Sequence, residues 1–229
     1  MTEVAELIAG LGEYREVELP AGPLRYRERG SGRPLVFLHG GLANGDLWRG
    51  VVPRLAADYR CIVPDLPKGS HRLPMRPDAD LAPPGMARLV VDFLDALGLD
   101  RVTLVTNDSG GAVGQMVAAA HPDRVDRLVL SACDTYGQLP PRYLKPLRLL
   151  CFLPGAGELM SRAWLSPLVH RPFFASIVKH GTPPEVLRSY QEPLRDAGIR
   201  RDLIKFFRGC APRHTRAAAR GLATFPRRC

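Results

Sequence analysis

A chain of 229 residues that is 45% apolar and 24% charged is long enough for one large α/β domain with a sizeable core. It has no apolar run near the ~18–20 residues that span a bilayer, and its acidic start (MTEVAELIAG) lacks a signal peptide's basic patch, so the expectation is a cytoplasmic protein with no membrane partner. The net charge of +9 is mostly scattered arginine, concentrated after residue 202, with no zinc-finger pattern and no aromatic-plus-basic stripe, so no nucleic acid is expected either.

Residues 14–19 (YREVEL) and 24–29 (LRYRER) alternate in polarity and are split by Pro20-Ala21-Gly22-Pro23, which predicts a hairpin. Residues 34–38 (PLVFL) are a short continuous apolar run, the pattern of a strand buried on both faces, and end in His39-Gly40-Gly41. A helix is expected over 47–57. Residues 60–64 (RCIVP) then give a second buried strand, ending at Asp65. The Pro, Gly and charge of 66–84 predict a loop. Met86, Leu89, Val90, Phe93, Leu94 and Leu97 recur at helical spacing, with Gly98 where the helix stops.

Residues 102–106 form a third buried strand, followed at once by Asn107-Asp108-Ser109-Gly110-Gly111. A helix of small residues runs to about Ala120 and is closed by His121-Pro122, and 127–132 (RLVLSA) read as a fourth buried strand. Strand and helix in alternation predict a mostly parallel sheet with helices on both faces. Residues 137–214 are Pro- and Arg-rich and helical in flavour, without a comparable strand. The expected organisation is a core over 1–136, a helical cap over 137–214 and the start of a further core segment over 215–229.

The strongest local signal is residues 102–134 (VTLVTNDSGGAVGQMVAAAHPDRVDRLVLSACD), which resemble the nucleophile elbow of α/β hydrolases. In that elbow a buried strand turns sharply into a helix and lifts one side chain above the sheet edge, so small residues must surround it. With Asp108 at the nucleophile position, Gly110 and Gly111 fall where the family has them, and Thr106 stands two residues before. Residues 34–48 resemble the family's oxyanion loop, 59–72 the strand and loop that follow, and 118–130 the helix end and strand after the elbow.

The resemblance implies an α/β-hydrolase fold and a hydrolase acting on a small organic molecule without a cofactor. The subset with Asp at the elbow comprises haloalkane dehalogenases and epoxide hydrolases. There a carboxylate displaces halide or opens an epoxide to form an ester, and water activated by a histidine cleaves it. Asp108 is the expected nucleophile. Ser109 as nucleophile, or Asp108 as a mere turn-former, are the competing readings. The backbone N–H groups of Gly41 and Ser109 would receive developing negative charge, and Gly40, Asn44 and Trp48 would line the pocket, Trp48 with a competing place in the core.

By the same resemblance His39 is structural. Asp134 is either the catalytic acid or a cap for the segment that follows. Haloalkane dehalogenases place Trp after the nucleophile, where this chain has Ser109, and both families usually have Pro where it has Leu42. Tyr143 and Tyr190 are cap tyrosines that their spacing does not single out. Ester, epoxide and haloalkane all stay open as substrates.

The family implies further strands after the cap, one followed by an acid and the last by the catalytic histidine, and none is read after residue 214. The expectation is therefore a shortened hydrolase, impaired in releasing its ester. The alternatives are a non-catalytic relative that binds a small apolar ligand, or a fragment that completes its sheet with a partner. The five cysteines, Cys61, Cys133, Cys151, Cys210 and Cys229, are far apart with no CxxC pair, so they are read as free thiols with no metal site.

Overall fold

A computed structural model describes residues 2–225. The hairpin forms as read, from β1 (Tyr14–Leu19) and β2 (Gly22–Arg29), antiparallel and joined through Pro20-Ala21. β3 (Arg33–Leu38) and β4 (Tyr59–Pro64) follow, then β5 (Val102–Asp108) and β6 (Val125–Cys133). The sheet order is β1-β2-β4-β3-β5-β6, with β4, β3, β5 and β6 parallel. After β4 the chain crosses to the other side of β3, so strand order reverses between β3 and β5. The carboxyl ends at such a reversal open a crevice.

Successive side chains of a strand face opposite sides. Val36, Leu38 and Ile62 therefore join one core with α3 (Pro83–Ala96) and α4 (Ser109–Ala120), while Leu35, Phe37, Cys61 and Val63 join a smaller one on the far face with Trp48 and Val52. The helix expected over 47–57 is instead a 3-10 turn, Gly45–Trp48, and one turn of helix, α2 (Val52–Leu55). Gly50 and Pro53 account for the break, because Pro53 lacks the N–H that a continuous helix would bond back to the preceding turn. An N-terminal helix not anticipated from sequence, α1 (Glu3–Ala9), starts where Thr2 Oγ1 accepts the Ala5 N–H at 3.2 Å.

The fourth strand is not buried as its apolar run suggests. β6 lies at the edge of the sheet, and Val129 and Leu130 are 46% and 43% exposed. An apolar run reports that a strand can be covered, whereas coverage depends on a neighbour.

Helices α5 (Lys145–Leu150), α6 (Ala156–Ala163), α7 (Pro167–Ile177), α8 (Pro184–Gln191) and α9 (Ala197–Gly209) form a separate helical layer. Met160, Trp164, Phe174, Val186, Tyr190 and Leu203 close its core over Leu42 and Ala43, from the loop after β3. A buried ion pair also ties the layers: Arg27 Nη2 meets Asp46 Oδ1, and Ser189 Oγ of α8 donates to Asp46 Oδ2 at 2.6 Å. The last helix, α10 (Pro212–Leu222), buries Ala218 in the core shared by α3 and α4, so the boundary expected at 214 falls within a helix. Cys61, Cys133, Cys151 and Cys210 are free thiols, and Cys229 lies outside the described residues.

Candidate active site

The turn from β5 into α4 is made by Asp108 with φ 52° and ψ −130°. Positive φ is unfavourable for a side chain with a Cβ and costs about 1–3 kcal/mol, so it persists only where the surroundings hold it. Here β6 holds it: Asp108 is in register with Cys133, and the Asp134 N–H donates to the Asp108 carbonyl at 3.2 Å. The result projects the Asp108 carboxylate into the crevice beside the first turn of α4, whose N–H groups have no intrahelical acceptors and favour negative charge.

The opposing wall is the loop after β3. The Gly41 N–H donates to Asp108 Oδ2 at 3.0 Å. Gly40 permits that approach, since a Cβ there would come within 2.7 Å of Asp108 Cβ. Gly110 plays the same part for the helix: a Cβ would sit 2.6 Å from the His39 carbonyl oxygen, so only glycine lets α4 pack against the end of β3.

His39 sits at the root of this loop, with both ring nitrogens engaged. Nδ1 faces the Gly40 carbonyl at 2.8 Å, and Nε2 accepts the Leu66 N–H at 2.8 Å, which places the proton on Nδ1. Burial, reinforced by nearby Lys68, pushes its pKa down to about 3, so it stays neutral and holds the loop in place.

A cavity of about 60 Å³ joins Asp108, Ser109, Gly41 and Asp134 to apolar walls that include Leu139, Leu144, Phe206 and Phe207, with Tyr143 at its edge. A second, wider opening reaches Asp108 from the side of Gly40, Asn107 and the loop after α7. Burial, and next the charge of Asp108, raises the pKa of Asp134 to about 7, against an opposing effect of Lys68. Lys68 is itself fully buried behind the elbow, with Nζ 3.5 Å from Ser109 Oγ and hydrogen-bonded to the His39 carbonyl.

Asp108, Ser109, Gly41 and Asp134 thus come together, with Gly40 at the second opening. Asn44 and Trp48 do not join them. Asn44 Oδ1 accepts the Asp46 N–H at 3.0 Å and its Nδ2 donates to the Ser189 carbonyl at 3.2 Å, a clamp between loop and α8. Trp48 packs on Phe37 with ring centroids 5.2 Å apart. Among the described residues no histidine lines either opening to Asp108.

Two residues beside Asp108 were not marked out by sequence. Tyr143 carries no spacing signal, and Lys68 sits in a Pro- and Gly-rich stretch where a lysine ordinarily faces water. No helix among the described residues is long and apolar enough to cross a membrane.

A strained acidic residue between strand and helix, faced by a glycine loop at the strand-order reversal, defines an α/β hydrolase architecture. The chain belongs to the alpha/beta hydrolase fold family, whose model matches residues 33–195.

A haloalkane dehalogenase from Agrobacterium fabrum is 32% identical over 214 residues, covering 89% of this chain and 67% of that protein. The 2-hydroxy-6-oxo-6-(2'-aminophenyl)hexa-2,4-dienoic acid hydrolase of Metapseudomonas resinovorans is 36% identical over 138 residues, 57% of this chain and 47% of its own length. This chain therefore spans about two thirds of one relative and about half of the other. Among solved structures, a provisionally assigned epoxide hydrolase from Pseudomonas aeruginosa superposes with a TM-score of 0.72 at 25% identity, over 86% of this chain and 69% of that one. The crystal structure of a DBJA variant gives a TM-score of 0.76 at 22% identity, over 93% and 78%, a likeness of fold.

Proposed function

We propose that this hydrolase attacks a small, largely apolar electrophile through a covalent ester on Asp108. The observation that carries the reading is the Asp108 carboxylate, set at the strained turn and held by the Gly41 N–H at 3.0 Å. A carboxylate oxygen forms a bond to saturated carbon as the carbon–oxygen bond of an epoxide, or the carbon–halogen bond of a haloalkane, breaks and its electron pair leaves. In the ester, the Gly41 N–H and the first N–H of α4 face the carbonyl oxygen that becomes negative when water adds. The helical segment expected over 137–214 acts as a cap, walling the cavity with apolar side chains that exclude water.

Among the candidate substrates an epoxide is favoured. Tyr143 lines the same cavity, where its phenol can protonate the alkoxide released on ring opening. Ser109 stands where a halide would need a strong donor, and a serine hydroxyl already contacted by Lys68 is a weaker one. A relative named as a haloalkane dehalogenase, and a solved structure provisionally assigned as an epoxide hydrolase, support the pairing of this fold with such electrophiles.

A second reading, a binding protein for a small apolar ligand, draws on the absence of a histidine along either opening among the described residues. One experiment separates the two. The chain is incubated with a small terminal epoxide, a 1-haloalkane and an aryl ester, and adducts are mapped by intact mass and peptide sequencing. Addition of the whole epoxide to Asp108, abolished in Asp108→Asn and retained in Ser109→Ala, is the expected result. An adduct on Ser109, or ligand binding with no adduct, overturns the ester on Asp108.

A further inference from the structure

Lys68 has no part in the chemistry above, yet its ammonium is fully buried within the site. Placing an ammonium in a protein interior is costly unless it is hydrogen-bonded and compensated by opposite charge. Its surroundings supply both. Nζ donates to the His39 carbonyl, lies 3.5 Å from Ser109 Oγ and sits 5.6 Å from the centre of the Phe206 ring. The Lys68 carbonyl in turn accepts the Leu42 N–H at 3.0 Å. The same residue therefore grips the chain at 39 with its side chain and at 42 with its backbone, bracketing the Gly40-Gly41 segment whose amide reaches Asp108.

We propose that Lys68 is a positioning residue of the elbow: its side chain and backbone clamp the Gly40-Gly41 loop, and its buried ammonium is the counter-charge to the Asp108 carboxylate that this loop holds. This deepens the reading of Asp108 as nucleophile, and its first test does not depend on that reading. Two carboxylates facing one poorly hydrated space repel, and the second is held protonated unless a cation stands near. The groups facing the ammonium are His39 from the loop after β3, Asp108 from the elbow, Cys133 and Asp134 from the end of β6, and Cys210 from the end of α9. His39 is neutral, burial pushes the Cys133 and Cys210 thiols up, and Asp134 is raised to about 7, so Asp108 is its principal counter-charge. Burial lowers Lys68 itself to about 8, and Asp108 is the largest influence opposing that fall.

The experiment follows the Lys68 side-chain Cε resonance of uniformly 13C-labelled protein from pH 5 to 11, assigned by its loss in Lys68→Arg. A midpoint well below the ordinary lysine range is expected, falling further by about one pH unit in Asp108→Asn. An ordinary lysine midpoint, or one that Asp108→Asn leaves in place, overturns the proposal.

The second arm reads the pH dependence of Asp108 esterification by a small epoxide. Lys68→Met should move the acid limb of that profile up by about one unit, slowing the reaction by about tenfold at pH values below the limb, while Lys68→Arg keeps the wild-type limb. A Lys68→Met variant with the wild-type limb sinks the counter-charge. If the wild-type protein forms no ester, the nucleophile reading has failed, and the Lys68 titration alone decides the proposal.

Discussion

The Gly41 amide donates to Asp108 Oδ2 at 3.0 Å, joining the loop after β3 to the turn after β5 through the side chain at the centre of the site. The contact exists because Gly40 has no Cβ to collide with Asp108 and because Asp108 accepts a backbone conformation that lifts its carboxylate out of the strand. Both strained and tight features are concentrated at one point, the reversal of strand order.

Gly40→Ala tests that contact. The new methyl group would overlap the Asp108 side chain, so the carboxylate turns away from the Gly41 amide. Esterification of Asp108 should slow by about a hundredfold, the effect of losing an aligned donor. Stability should fall by only about 1–3 kcal/mol. Rates by mass spectrometry, set beside urea unfolding, distinguish this local effect from general misfolding.

Gly110→Ala acts on the scaffold instead. Its Cβ would meet the backbone of Leu38 and His39, which cannot move aside as a flexible side chain can. The expected loss is about 3 kcal/mol, at the upper end of overpacking, with α4 displaced from β3. A thermal midpoint unchanged from the wild type would show that helix and strand leave room for a methyl group at this position.

Asp134 gives a pH signature. Its pKa in the folded chain is raised to about 7 by burial and by Asp108, above the ordinary value of 3.8. The folded state therefore favours the protonated acid. Its contribution to stability is complete below about pH 4 and is lost as pH rises through about 7. Asp134→Asn should be more stable than the wild type at pH 8, by up to about 4 kcal/mol, and should lose that advantage toward pH 4. Denaturant unfolding at pH 4, 6 and 8 measures it, and an advantage that grows toward acid pH contradicts the assignment.

Asp46→Ala probes the link between core and helical layer. It leaves the Arg27 guanidinium, 2% exposed, without its carboxylate partner, and leaves Ser189 Oγ only the Val186 carbonyl of its own helix as acceptor. Breaking one side of a buried pair costs about 3–5 kcal/mol. Replacing both partners, Arg27→Met with Asp46→Leu, should recover most of it, because no charge is then stranded. Urea unfolding of the single and double variants checks both expectations.

The hairpin, the strands at 34–38 and 60–64, the helix before Gly98 and the Asp108-Gly110-Gly111 register are all legible in the sequence. Each rests on periodicity or on residues only a few positions apart, so local order is enough to reveal it. The same local spacing carried the likeness to α/β hydrolases, and with it Gly41, Asp108, Ser109 and Asp134 as neighbours.

What the tertiary structure alone decided is which groups are covered and what they face. β6 has the apolar run of a buried strand yet is an exposed edge. Trp48 and Asn44 turn from the pocket to the core and to α8. Lys68, in a loop that reads as solvated, is fully buried at the elbow. Covering a residue takes chain that is distant in sequence, for Lys68 the segments around 39, 109 and 206, and no pattern of near neighbours records that arrival.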